Sequence, residues 1–174
     1  VFGAMTVLEN VLTGLHAAGG PGLAATLLRL PRFRRFEREA VARAREALAL
    51  VGLTAKAEWR ASALAYGDQR RLEIARAAAP QPRLILLDEP AAGMNPAETE
   101  ALVPVLRDLN GRGTALLLVE HDIRFVMEIA DHVTVLNFGR RIADGPPDRI
   151  RSDPAVIEAY LGARMAARLA STSA

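Results

Sequence analysis

Asp88 and Glu89 stand side by side at the end of the apolar run Leu84-Ile-Leu-Leu87, with Pro90 after them. An apolar run that stops abruptly at two carboxylates is expected to be a buried parallel strand over 84–87, delivering both acids to its carboxyl end. Open α/β sheets bind ligands at that end. Adjacent acids there suit phosphoryl transfer, in which one carboxylate faces Mg²⁺ and the other orients a water. Read as plain structure, the two acids would cap the following turn. A G-x-x-x-x-G-K-[ST] loop to cradle phosphates does not occur in the chain. Its one lysine, Lys56, lies in a Leu-Thr-Ala-Lys-Ala-Glu context without a glycine loop.

Two other stretches carry chemistry. Gly67 precedes Asp68-Gln-Arg-Arg-Leu-Glu73, so a glycine turn opens a helix whose N–H groups and dipole are expected to face an anion. The structural alternative is an ordinary helix start with Asp68 as its N-cap. His121 follows the apolar run Leu116–Val119 through Glu120, which puts it at the carboxyl end of a second strand beside the first. His16 and His132 read as structural. Asn95 reads as an N-cap before Pro96 at the first helical position.

The elements that must position these residues follow from patterning. Thr6 to His16 predicts a short helix behind a Thr6/Glu9 capping box. Ala17 to Pro31, with Gly19-Gly-Pro-Gly22, reads as a loop. Arg32 to Val51 predicts a long amphipathic helix with Phe36, Ala40, Arg43/Ala44, Ala47 and Leu48 on one face, ended by Gly52. Residues 54–63 read as a polar connection and Asp68 to Ala79 as a helix, with Pro80 and Pro82 before the strand. Helices are expected over Pro96–Asn110, Asp122–Ala130 and Pro154–Gly162. Strands are expected over Thr114–Val119, His132–Leu136 and Arg140–Asp144, with a turn at Asn137-Phe-Gly139. Residues 84–144 thus read as a βαβαβ core behind a mainly helical first third.

Composition narrows the class. The 174 residues are 51% hydrophobic with few aromatics, which is globular. The pI is about 9.6, yet 22 basic residues nearly balance 20 acidic ones, leaving a net charge of +2 and no strong general field for nucleic acid. The absence of cysteine excludes disulfides and thiolate chemistry, and no apolar stretch approaches the length of a membrane span. Arg32-Phe-Arg-Arg-Phe-Glu-Arg38 reads first as the solvated start of its helix. Its other readings are a nucleic-acid contact or a face toward membrane subunits or lipid headgroups. Trp59 reads as a packing residue.

In order and spacing, Leu64–Arg71, Leu84–Pro90, Ala92–Pro96 and His121 resemble the signature loop, Walker B strand, D-loop and switch histidine of ABC transporter ATP-binding subunits. The resemblance covers nearly the whole chain. It implies an α/β P-loop NTPase (RecA-like) core lacking its N-terminal strands, joined to a helical ABC subdomain. Residues 1–83 would hold a Q-loop-adjacent segment and that subdomain, 84–150 the C-terminal part of the core, and 151–174 a C-terminal helix and tail. The implied cofactors are ATP and Mg²⁺. Asp88 would hold Mg²⁺ through water, Glu89 would polarise the attacking water, and His121 would contact the γ-phosphate. Leu64, Ala65, Tyr66, Gly67, Asp68 and Gln69 would face the ATP of a partner protomer, and Asn95 would bridge the protomers. The chain departs from the family at Ala65, usually serine, at Asp68, usually glutamine, and at Asn95, usually aspartate. Ala65 removes a hydrogen bond to phosphate worth roughly 1.5–3 kcal/mol, and Asp68 puts an unfavourable charge near phosphate, but Leu64-Ala-Tyr-Gly-Asp-Gln69 also resembles a subtype variant of the loop, so a working loop is expected.

Met5–Val11, the Arg-rich helix, Pro90–Thr99 and Asp153–Gly162 resemble the branch that energises import of branched-chain amino acids; urea import and lipopolysaccharide export ATPases share these motifs. The implied partners are a second ATPase subunit and transmembrane permeases. Nucleic acid is not among them, and the membrane is met only through partners, at the cytoplasmic face of the inner membrane. The first strands, the phosphate loop, the adenine-stacking aromatic and the Q-loop glutamine are expected before Val1. The chain alone is therefore expected neither to bind ATP tightly nor to hydrolyse it, and to expose a sheet edge and apolar surface. The competing functions are a non-transport ABC protein acting on nucleic acid or ribosomes, and an interaction module that lacks the phosphate loop.

Overall fold

The computed structural model describes residues 1–17 and 31–159, in two compact units, Val1–Glu120 and His121–Ala174. The loop expected between Ala17 and Pro31, the end of the last expected helix and the tail lie outside the described residues.

The first unit begins with helix α1 (Val7–Ala17). Its capping box forms as the spacing predicts: the Thr6 amide donates to Glu9 Oε2 at 2.7 Å and the Glu9 amide to Thr6 Oγ1 at 3.1 Å. The Thr6 amide, then its hydroxyl, holds the Glu9 carboxyl below its ordinary pKa. Helix α2 (Pro31–Leu50) buries Ala40, Ala44, Ala47 and Leu48, four of the five positions foreseen. It ends in a Schellman motif, with the Leu53 amide on the Leu48 carbonyl at 2.8 Å and the Gly52 amide on that of Ala49 at 3.1 Å. Two 3₁₀ turns, Thr54–Lys56 and Ala61–Ala63, fill the polar connection. Helix α3 (Tyr66–Ala78) then packs with α1 and α2, and the three helices bury Val11, Leu48 and Leu72.

The start of α3 corrects one expectation. Its N-cap is Ala65, which makes no side-chain cap, and Asp68 lies inside the first turn. The capping chemistry of aspartate is overridden because its carboxylate has stronger partners, described below.

Residues before α1 are tied to the connection. The amides of Val7 and Leu8 donate to the carbonyls of Trp59 and Ala57 at 2.9 Å each, and the Ala61 amide donates to the Met5 carbonyl at 3.0 Å. Asn10, fully buried, closes this arrangement. Its Oδ1 accepts from the Phe2 amide at 2.8 Å, while Nδ2 donates to the carbonyls of Phe2 at 3.0 Å and Thr6 at 2.9 Å.

Strand β1 (Leu84–Asp88), helix α4 (Pro96–Gly111) and strand β2 (Ala115–Val119) form a βαβ unit, with β1 and β2 parallel. The strand is not buried on both faces as expected. Ile85 is buried, but Leu84 and Leu86 are 52% and 67% exposed, and Leu117 and Val119 on the same face of β2 are 57% and 60% exposed. These four residues form one exposed apolar face of the pair.

The second unit holds α5 (Ile123–Ile129), β3 (Val133–Asn137), β4 (Arg140–Gly145), α6 (Pro147–Arg151) and a helix over 154–159. Here the expected βαβαβ core is corrected. Strand β3 pairs antiparallel with β4, and β1–β2 is a separate two-stranded sheet. The two-residue turn at Phe138 (φ 46°) and Gly139 (φ 75°) closes the hairpin locally, at little cost in chain entropy. Ala143, Ile150 and Val156 form this unit's core, with Met127, Val133, Val135 and Ile142 against it. His132 lies 3.2 Å from Asp144 and His16 3.3 Å from Glu37, in keeping with structural roles.

Asn10→Ala removes three buried hydrogen bonds and strands the Phe2 backbone. The expected loss is about 1–3 kcal/mol in urea unfolding, with faster proteolysis of residues 1–6; a variant as stable and protease-resistant as the parent would contradict the anchoring role of Asn10.

Candidate functional site

The register of the sheet sets Asp88 opposite Val119, so both strands end together. The next residue, Glu89, has φ 44°, in the left-handed region. For a non-glycine residue this costs of order 1–3 kcal/mol and persists only where neighbours impose it, commonly at functional sites. Strand β2 imposes it here. The Glu89 amide donates to the Val119 carbonyl at 2.9 Å, and the Ala91 amide donates to Glu120 Oε1 at 3.0 Å. Both Asp88 and Glu89 are exposed at the strand end. A single hard carboxylate oxygen beside open solvent fits an ion coordinated chiefly by phosphate oxygens and water. Among the described residues no group of three or more His, Cys, Asp or Glu side chains could hold a metal without such help.

A second cluster joins the stretch 64–69 to the stretch 92–98. Asn95 caps α4, accepting from the Glu98 amide at 3.0 Å, and the Glu98 carboxylate accepts from the Asn95 amide at 3.0 Å. The first turn of α3 packs on this box. A Cβ at Gly67 would lie 2.6 Å from Glu98 Oε1, and a Cβ at Gly93 (φ 76°) would lie 2.9 Å from the Tyr66 ring. A side chain at 67 would thus displace the Glu98 carboxylate, while glycine at 93 is favoured by both backbone and contact. Arg70 donates to the Tyr66 hydroxyl at 3.0 Å and to Glu73 at 2.9 Å, with its guanidinium 5.2 Å from the Tyr66 ring centre. Leu64 is buried, and its carbonyl accepts from the Gln69 side chain at 3.0 Å. Ala65 and Tyr66 are exposed.

Asp68 does not present the open negative charge expected of it. Its side chain is 7% exposed, with Oδ1 accepting from Arg71 at 2.6 Å and Oδ2 from the Lys56 ammonium. His121 is exposed and opens the second unit, two residues beyond Val119 in the chain.

The structure therefore sets Asp88 and Glu89 at one strand end, and brings Tyr66 and Gly67 against Gly93 and Glu98, the residues that flank Asn95. Three contributors were not singled out from sequence. Glu98 was legible in the Asn95-Pro-Ala-Glu98 spacing, which is that of a capping box. Lys56 stood out only as the one lysine, and Glu120 gave no signal.

A family profile described as ABC transporter matches residues 1–92, and one described as branched-chain amino acid ATP-binding cassette transporter matches residues 140–166. LivG of Escherichia coli K12, a high-affinity branched-chain amino acid transport ATP-binding protein, is 49% identical over 163 residues, covering 93% of this chain and 64% of its own. BraF of Pseudomonas aeruginosa, described in the same words, is 47% identical over the same shares of each. The crystal structure of the ADP conformation of MJ1267, an ATP-binding cassette of an ABC transporter, superposes with a TM-score of 0.74 at 30% identity, covering 92% of this chain and 64% of that one. The chain thus spans 64% of the length of these relatives.

Gly67→Ala pushes the Glu98 carboxylate off the Asn95 amide, setting the loss of a cap, about 0.5–2 kcal/mol, against the roughly 1 kcal/mol that alanine gains over glycine in a helix. In a Glu98→Ala background only the gain remains. Urea unfolding of the two singles and the double is expected to show G67A more favourable by about 1 kcal/mol when Glu98 is absent; equal effects in both backgrounds would rule out the contact.

Proposed function

This chain belongs to the ABC transporter family and has the P-loop NTPase fold of its ATP-binding cassettes, and from that premise we propose that it is part of the ATP-hydrolysing subunit of a branched-chain amino acid importer. The observation that carries the chemistry is the strand end, with Asp88 at the terminus of β1 and Glu89 held left-handed by β2. Asp88 is assigned to Mg²⁺ through water, and Glu89 to accepting a hydrogen bond from the attacking water and polarising it. ATP supplies the phosphoanhydride bond whose hydrolysis drives transport. His121 is assigned to the γ-phosphate by its place after β2. Leu64–Gln69 and Asn95 are assigned to the face that meets the nucleotide of a second ATPase subunit.

The branched-chain assignment is supported by the names of LivG and BraF and by the match at residues 140–166. Urea import or lipopolysaccharide export would use the same cassette chemistry with other permeases. No helix among the described residues is long and apolar enough to cross a membrane. Attachment to the cytoplasmic face of the membrane is assigned to the permease partners. Nucleic acid is not among the proposed partners. The start of α2 accords with a solvated face, since Arg34, Arg35 and Arg38 are exposed and Arg35 bonds Glu39 at 2.8 Å. The reading as an inert interaction module rests on the lack of a phosphate loop among the 174 residues.

The test joins the segment of E. coli LivG that precedes the matched region to Val1 and expresses the chimera in a LivG-deficient strain. Leucine uptake and ATP hydrolysis are expected to return, and Glu89→Gln is expected to lower hydrolysis by about 100-fold or more while Mg-ATP is still bound. Full activity with glutamine at 89 would remove Glu89 from the mechanism, and hydrolysis without leucine uptake would reject the solute. Titration of the 174-residue chain alone with Mg-ATP is expected to show no tight binding, and micromolar affinity would contradict that.

A further inference from the structure

We propose that Lys56 and Asp68 are a matched pair of positioning residues that keeps the first turn of α3 receptive to an anion; this deepens the function proposed above and rests on it. Asp68 is the one acid in that turn. A free carboxylate there would repel a phosphate approaching the helix N-terminus. The structure removes that charge from the loop by burying it between two cations, Lys56 and Arg71. The three groups together carry a single positive charge, so the turn faces its ligand with a favourable field.

The two cations are not equivalent. Arg71 belongs to α3 itself and is also directed at the Val51 carbonyl, 3.5 Å away. Lys56 comes from the 3₁₀ turn Thr54–Lys56, and the carbonyls of Ala57 and Trp59 just beyond it receive the amides of Leu8 and Val7. The Lys56 ammonium also lies 5.6 Å from the centre of the Trp59 ring, which steadies it from the same turn. The Lys56–Asp68 bond therefore joins the start of the signature helix to the backbone that carries residues 2–8. Without Lys56, Asp68 keeps one partner, and its second oxygen is free to turn toward the loop. The one lysine of the chain stands opposite the one loop position where aspartate replaces the family's glutamine.

Two measurements test this. In urea unfolding of the 174-residue chain, Lys56→Met is expected to lower the midpoint. Combining it with Asp68→Gln is expected to cost less than the sum of the singles, because the double variant leaves no buried carboxylate short of a partner. In the LivG-segment chimera, K56M is expected to raise KM for Mg-ATP about fivefold with a smaller change in kcat, an effect sized for an ion pair whose lysine is partly exposed. Lys56→Arg restores most of the affinity, and the K56M/D68Q double variant is expected to have a lower KM than K56M. Additive singles would overturn the pair. An unchanged KM in K56M, or a double variant no better than K56M, would overturn its effect on the anion. A parent chimera without ATPase activity would overturn the proposed function and the anion role together, an outcome distinct from additive singles.

Discussion

In a parallel pair the hydrogen bonds are evenly spaced, so setting Leu84 opposite Ala115 fixes every later pair up to Asp88 opposite Val119. A slip of one residue would exchange the faces of the strand, moving Ile85 out of the core and Asp88 away from the end of β2. The carboxylate pair, the left-handed Glu89 and the Ala91–Glu120 bond all follow from this register. They are consequences of where two strands end. The residues that run through the strands are ordinary Leu, Ile and Val.

What was legible in the sequence is what local chemistry decides. Thr6 and Glu9 announced the start of α1, Gly52 the end of α2, and Asn95 with Pro96 the start of α4, because each cap is satisfied within a few residues of chain. The strand end with its two acids was legible for a similar reason, since an apolar run marks its own limits. Asp68 shows the opposite case. As a capping residue it pointed to a helix start at 68, but its carboxylate is claimed by a lysine twelve positions earlier. That partner exists only once the 3₁₀ turn and α3 have packed. Burial between cations outweighs a cap worth about 1 kcal/mol, and the helix starts at Tyr66 without one.

Strand pairing was misread on the same grounds. Alternation of helix and strand predicts a parallel continuation, yet β3 finds its partner across a two-residue turn. The pattern of apolar residues gives a strand's existence and says nothing of its neighbour. The exposed Leu84, Leu86, Leu117 and Val119 were also beyond periodicity, because an unbroken apolar run reads as burial on both sides. The four residues instead line one open face of the pair, and only the other face packs into the core.

The strain at Glu89 is informative about which element governs the site. A left-handed glutamate costs of order 1–3 kcal/mol, and the residue after it is a proline, which contributes no amide to hold the turn. The compensation is visible in two hydrogen bonds, Glu89 to Val119 and Ala91 to Glu120, one on each side of Pro90. At about 0.5–1.5 kcal/mol each, these two bonds are of the same order as the strain. Both acceptors lie on β2 or directly after it. The conformation of Glu89 is therefore set by the neighbouring strand, while its own strand supplies only the point of departure. His121 is the next residue in the chain after Glu120, so the strand that holds Glu89 in place also leads directly into the histidine.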